Sequence, residues 1–390
     1  MPLTNAFHSI ILPNSHGNFQ AECQSCLSEL QLSVFSEKNQ LLKLDIFIFS
    51  DSEEDFQNKR NIILASLDDI LGKDCPPSCV LPQPPENSYH IAVEALLVNI
   101  SYASVRYGKL RKSRYCVLET LSSKELWGAG LEGYEPCLDT ETKSRGAFES
   151  MLKVLQKEEM SFDNIIRQWN YIGEILTITK TDLSEIQNYQ IFNEVRHEYY
   201  QKYKRLPGFP AATGIGCRYN SVAIDFNAFS FKSDCYDIMI DNPLQVNPYA
   251  YEQNKLIGTG LNKKKTKHAP EFVRGRLISD GINSLLYVSG TASIIGQEVT
   301  GTGDVELQTR TTIQNIKTVA DRKNIVRCSS QPIPIPEKYR YLRVYVKYME
   351  DIPLVKSICR QHFGDIPSIY IQADICRTDL LVEIEAEINS

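Results

Sequence analysis

No stretch of this sequence comes near the roughly 18 uninterrupted apolar residues of a membrane-spanning helix, so none is expected. The opening residues, MPLTNAFHSIILPNSHG, lack a basic start followed by a long apolar run and do not read as a secretory leader. A basic excess is missing as well. Lys and Arg total 42 against 48 Asp and Glu, a net charge of −6, which argues against a general nucleic-acid binder. It leaves room for an anionic small molecule, because a few arginines in a cleft act locally. There is no P-loop and no dinucleotide-type GxGxxG, and the glycines at 296–303 read as hairpin residues. Six histidines are too dispersed for a metal centre, so neither metal nor cofactor is expected. The eleven cysteines are odd in number and scattered, a pattern of reduced thiols in the cytoplasm rather than of a disulfide framework. Cys23 and Cys26 form a lone CxxC with no second pair and no nearby histidine, and read as ordinary thiols.

What is present is a globular chain of 390 residues, long enough for two domains. Residues 75–86 are a proline-rich loop and 258–270 a Gly/Lys-rich loop, either solvated or an electrostatic lip for an anion. Residues 285–289 read as a strand. A helix starts at Asp304 with Ile313, Ile316 and Ala320 on one face, and residues 341–347 alternate as a strand. Asp351 and Pro353 open a second helix, and 368–375 and 380–388 give two more strands. The same rhythm occurs earlier: a helix at 146–157, a strand at 164–172, a helix at 186–203, then strands at 211–216 and 221–229. This predicts an α+β chain with helices on one face of each sheet, in two copies of one fold, with a boundary near residue 240. The expected domains are 1–240, the more divergent, and 241–390.

The stretch SGTASIIGQEVTGTGDVELQTRTTIQNI (289–316), with Gln308, Thr309, Asn315 and Ile316, resembles the signature of the RidA-like (YjgF) family. Glu383-Ile384-Glu385 matches its closing E-I-E strand. Within that superfamily the two-domain chorismatases fit best, on RQWNYIGEI (167–175), NYQIFNEVRHEYY (188–200), PAATGIG (210–216), NPLQVNPYAY (242–251), PEFVRGRL (270–277), VSGTASIIGQE (288–298) and ADICRTDLLVEIEA (373–386). Three positions depart from the family: Asn188-Tyr189 stands where an Arg-Tyr pair is expected, Gln297 where a histidine is expected, and Ser368 where simple RidA deaminases carry an arginine. The last opposes a plain imine hydrolase.

The resemblance implies two RidA-like domains, with the site in the groove between them and lined mainly by the C-terminal one. It implies an enzyme that removes pyruvate from chorismate, a dianion with an enol ether at C3 and a hydroxyl at C4. Such a substrate needs cationic anchors, a proton source and exclusion of water. Glu383 is then the acid/base, which requires a raised proton affinity. Read alone, Glu383, Glu385 and Glu387 share one face of a strand and would more often be solvated. Asp225 is expected at the equivalent place in the first copy. Cys376 is a small buried hydrophobe on composition, and in the resembling family a cysteine there accompanies hydroxybenzoate formation, favouring 3-hydroxybenzoate. Arg274 is the expected first carboxylate anchor. Arg196 and Arg343 are candidates for the second, or pair with local acids such as Glu194. Tyr251 and Tyr189 are candidate hydrogen-bond donors or core aromatics, and Gly290 a turn glycine or a wall of the ring pocket. Competing readings are a chorismatase giving 4-hydroxybenzoate or a dihydrodiol, a RidA-like imine hydrolase, and a ligand-binding protein. A fused chain meets the inter-subunit contacts of RidA trimers internally, so a monomer is expected.

Overall fold

The structure is a computed structural model and describes residues 6–35, 39–99, 103–120, 123–133, 139–181, 184–231, 235–259 and 266–390. Lys263, Lys264 and Lys265 of the basic loop lie outside the described residues.

The C-terminal unit holds β13 (Tyr236–Ile240), β14 (Gly275–Ser279), β15 (Ser284–Ala292), the short pair β16 (Ile294–Ile295) and β17 (Glu298–Val299), α5 (Val305–Ala320), the short α6 (Arg322–Cys328), β18 (Lys338–Val346), α7 (Ile352–Phe363), β19 (Ser368–Gln372) and β20 (Val382–Asn389). Its mixed sheet has the order β13-β14-β15-β20-β18-β19. Asp304 caps α5 by accepting from the Leu307 N–H at 2.9 Å, as a helix start needs. The preceding unit holds β5 (Ser104–Leu110), β6 (Ser113–Glu119), β7 (Ser123–Leu131), α3 (Thr140–Lys157), β8 (Ile165–Gly173), the short pair β9 (Ile178–Thr181) and β10 (Ser184–Gln187), α4 (Asn188–Tyr203), β11 (Ala211–Cys217) and β12 (Val222–Phe231). Its order, β11-β8-β12-β7-β6-β5, is the same one read from the other edge. Both expected α+β copies are therefore present, each with its helices on one face of the sheet.

The residues before 100, for which the sequence offered no architecture, form another unit of the same design, the first of three in chain order: β1 (Ala6–Ile11), α1 (Phe19–Phe35), β2 (Asn39–Ile48), α2 (Glu53–Leu71), β3 (Ser78–Leu81) and β4 (Ile91–Asn99), in the order β1-β4-β2-β3. Each unit runs βαβαββ, and its closing strand lies between the first two strands. The two later units add further strands beyond the first. Cys23 and Cys26 are buried beneath this unit's helices, and burial raises both thiols, to about 11 and about 12. They are core residues of this unit.

Behind each sheet the helices cover a separate apolar core. The opposite faces of all three sheets meet in a common core that includes Phe47, Trp127, Trp169 and Tyr345. At one end the units are tied by backbone bonds: Arg218 N–H to the Pro82 carbonyl (3.2 Å), Gln372 N–H to Pro84 (2.8 Å) and Gly216 N–H to Asp374 (2.8 Å).

The sheets share a register mark. An extra residue bulges opposite each closing strand, at Leu42 in β2, Ile166 in β8 and Arg340 in β18. Counting from it, Glu385 opposite Arg343 corresponds to Asp225 opposite Trp169 and to Glu94 opposite Asp45. Glu383 corresponds to Ala223 and Ala92. The expected equivalence of Asp225 with Glu383 is therefore corrected. The connection between the last two strands is longer in the C-terminal unit (373–381) than in the second (218–221), which a plain sequence overlay does not register, and only the C-terminal unit has an acid at the Glu383 position.

Candidate active site

A cavity of about 690 Å³, open mouth included, lies between the second and third units. From the second unit, α4 supplies Tyr189, Gln190 and Asn193, and β11 supplies Ala212 and Gly214. From the third, β15 supplies Gly290 and Ala292, and β20 supplies Glu383. The segment before β14 contributes Tyr251, Lys255 and Arg274, and the turn after β19 contributes Cys376 and Arg377. Of the residues singled out in the sequence, Glu383, Cys376, Arg274, Tyr251, Tyr189 and Gly290 line this one space. Arg196 and Arg343 do not.

Glu383 is 4 % exposed. Burial, reinforced by the charge of Glu385, pushes its carboxyl up to about 8, while Arg167 and Arg274 oppose the shift. Its carboxyl has no hydrogen-bond or ion-pair partner among the described residues. Two other buried acids are also raised, Glu125 to about 8 and Asp225 to about 7, chiefly by desolvation. Neither lines the cavity. Glu383 is thus a neutral acid at neutral pH that faces the cavity.

Gly290 makes room for that acid. It lies at the β15 bulge between Val288 and Thr291, and a Cβ there would collide with Glu383 Oε1 and come within 3.0 Å of Thr213 Cγ2. The requirement is space rather than an unusual backbone angle. The Gly290 N–H donates to Thr213 Oγ1 at 3.1 Å.

Arg274 is 3 % exposed, and its Nη2 donates to the Val246 carbonyl and to the Tyr251 hydroxyl, both at 2.8 Å. Its Nε is buried without a partner. An unmatched guanidinium donor on a cavity wall is a ready anion contact. Arg377, which the sequence reading passed over although it follows Cys376 directly, lies across the Tyr251 ring at 5.2 Å from its centroid, with Arg274 at 5.9 Å. Arg377 Nη1 donates to the Gln297 carbonyl at 2.8 Å. The glutamine standing where the family has a histidine is therefore part of the wall's support. Its side chain also accepts from the Glu252 N–H at 3.1 Å.

Asn193 was missed as well. Its Oδ1 accepts from Arg196 Nη2 at 2.6 Å, which leaves the buried Nδ2 unpartnered. Arg196 stands behind the wall, over the Phe192 ring, and reaches the cavity only through Asn193. Tyr189, in the first turn of α4, packs against Gly214, where a Cβ would come within 2.9 Å of its Cε2, and burial raises its phenol. Burial lifts the Cys376 thiol to about 12, so it faces the cavity as a thiol rather than a thiolate nucleophile.

Arg343 is 1 % exposed and lies in the common core between the sheets. Its Nη2 pairs with Asp45 at 2.5 Å and Glu94 at 2.8 Å, and its Nε lies 3.3 Å from Glu385. The acids that engage it come from the first unit and from β20, rather than from Glu194. Glu194 is itself occupied, accepting from the His268 N–H (2.8 Å) and lying 2.6 Å from His268 Nδ1.

Residues 110–228 match the family described as chorismatase FkbO/Hyg5-like, N-terminal. The chain is 33 % identical over 248 residues to the 3-hydroxybenzoate synthase of Streptomyces hygroscopicus, covering 62 % of this chain and 68 % of that protein. It is 29 % identical over 230 residues to a chorismatase of Streptomyces rapamycinicus, covering 58 % and 64 %. Its fold aligns with the crystal structure of a chorismatase over 98 % of both chains, with a TM-score of 0.69 at 18 % identity. On its identity to the first of these relatives, the chain belongs to the chorismatase family.

Proposed function

We propose that the chain is an enzyme that removes pyruvate from chorismate, with Glu383 as the acid/base and 3-hydroxybenzoate as the aromatic product. The observation that carries the reading is the neutral Glu383 carboxyl at the cavity wall, facing a space lined by two arginines that share Tyr251. The name of the Streptomyces hygroscopicus relative supports the product.

Arg274 and Arg377 hold the two carboxylates, and the Asn193 amide donates to one of them or to the C4 hydroxyl. Glu383 gives its proton to the methylene carbon of the enolpyruvyl group, making an oxocarbenium ion. The C4 oxygen then attacks C3, the bond from C3 to the ether oxygen breaks, and pyruvate departs as the keto acid. The C4 hydroxyl proton returns to Glu383. The resulting arene oxide opens with a hydrogen shift to 3-hydroxybenzoate. The low-dielectric wall keeps water from C3, which would otherwise give a dihydrodiol. Cys376 acts here as a compact neutral wall residue. Every step uses this chain's own side chains, and the cleft is complete within one chain, which fits a monomer.

Incubation with chorismate alone, with pyruvate followed by a coupled assay and aromatics by chromatography, tests the reading. Equal amounts of pyruvate and 3-hydroxybenzoate are expected. A dihydrodiol or 4-hydroxybenzoate would overturn the product assignment, and chorismate remaining intact would overturn the enzyme.

A further inference from the structure

The three sheets meet around buried charges drawn from all three units. Glu385 lies two residues from Glu383 on the same face of β20. It accepts from Trp169 Nε1 at 3.0 and 3.1 Å, from the Thr213 hydroxyl and from Arg167 Nη2. Arg167 Nη2 also donates to Thr213 Oγ1 at 2.6 Å, the atom that accepts from the Gly290 N–H. On the far side of Glu385, Arg343 is gripped by Asp45 and Glu94 of the first unit. A chain of contacts thus runs from the first unit through Arg343 to Glu385, next to the acid in the cavity.

Two cations therefore stand close to Glu385, and of these Arg167 acts on Glu383 directly, opposing its proton. Glu385 engages Arg167 directly. Asp45 and Glu94 hold Arg343 more closely than Glu385 does, at 2.5 and 2.8 Å against 3.3 Å, so that the first unit meets most of its charge. The titratable and charged groups facing Glu383 are Arg274, Tyr251 and Lys255 from the segment before β14, Arg167 from β8, Tyr189 from α4, Cys376 and Arg377 from the turn after β19, and Tyr345 from β18. Ala292 and Gly290 of β15 bring no charge. Among all of these, Glu385 on Glu383's own strand is the source of negative charge.

We propose that Glu385 is a positioning residue that holds Glu383 in its acid form, and that Asp45 and Glu94 of the first unit serve the active site by engaging Arg343. This rests on the assignment of Glu383 as the acid. It gives the N-terminal unit a part in the chemistry although none of its described residues lines the cavity. It also accounts for the raised proton affinity of Glu383 beyond burial alone.

The test is the pH dependence of kcat/KM for pyruvate release in Glu385→Gln, Glu385→Asp and Asp45→Asn. The falling limb at high pH is expected to move down by about one pH unit in Glu385→Gln, a loss of rate that grows to about ten-fold above the limb. A smaller move in the same direction is expected in Asp45→Asn, and a wild-type limb in Glu385→Asp, which keeps the charge. A general packing defect would lower the whole profile without moving the limb. A limb that stays in place in folded Glu385→Gln overturns the proposal. If that variant does not fold, an unmoved limb in Asp45→Asn, altered in a different sheet, overturns it instead. Wild-type turnover in Glu383→Gln would sink the acid assignment itself, and this proposal with it.

Discussion

At the scale of single residues, the site asks an unusual thing of Glu383: to keep a proton through neutral pH while almost wholly buried. Its unfolded counterpart ionises near the ordinary 4.5, whereas the folded carboxyl holds its proton to about 8. The folded state therefore binds more protons than the unfolded one across that window. Its contribution to stability falls as pH rises from about 4.5 to about 8 and is flat above. Glu383→Gln, which removes the titration, is expected to melt higher than wild type at pH 8 and nearly equally at pH 4.5. Scanning calorimetry at the two values checks this, and a lower melting temperature at pH 8 would mean that Glu383 is paired in solution. Stability is given up here for chemistry. Gly290→Ala makes the complementary prediction. The added methyl group claims the place of Glu383 Oε1, so turnover is expected to fall by about a hundred-fold or more while the chain stays folded by circular dichroism.

At the scale of elements, most of the architecture was legible. Period-3.6 and period-2 patterns placed α3, α4, α5 and α7 and the strands around them, because each has one apolar face against its own core. The face of β20 was harder. Three alternating glutamates look solvated when only one partner layer is assumed. Here the second face of the strand is covered by the other units, and Glu383, Glu385 and Glu387 are all buried. The cations that make this tolerable, Arg167, Arg343 and Arg340, lie on other strands and leave no local pattern. Helix α4 hid its contribution in a similar way. Asn193 carries no motif of its own, and its free amide donor arises only because Arg196, one turn on, takes its oxygen. Asn193→Ala is expected to raise KM for chorismate about ten-fold with kcat little changed, the worth of one hydrogen bond to a charged group. An unchanged KM would remove Asn193 from the substrate contacts.

At the scale of the molecule, the N-terminal βαβαββ unit is what a sequence overlay misses, since only topology and the shared bulges relate it to the other two. Its presence explains why Arg343 is a core ion-pair partner instead of a substrate anchor. Arg343→Met would leave Asp45, Glu94 and Glu385 buried without their common cation. A loss of about 3–5 kcal/mol in urea unfolding is expected, far more than any change in KM. A stable variant with a weakened KM would return Arg343 to the substrate site.

The central claim is that a protonated Glu383 in the cavity between the second and third units drives loss of pyruvate from chorismate. The most direct measurement compares pyruvate release by wild type and Glu383→Gln from pH 6 to 9.5. The account predicts turnover by the wild type that declines above about pH 8, and a folded variant slower by about a hundred- to ten-thousand-fold at every pH. Pyruvate released by the variant at the wild-type rate would contradict it.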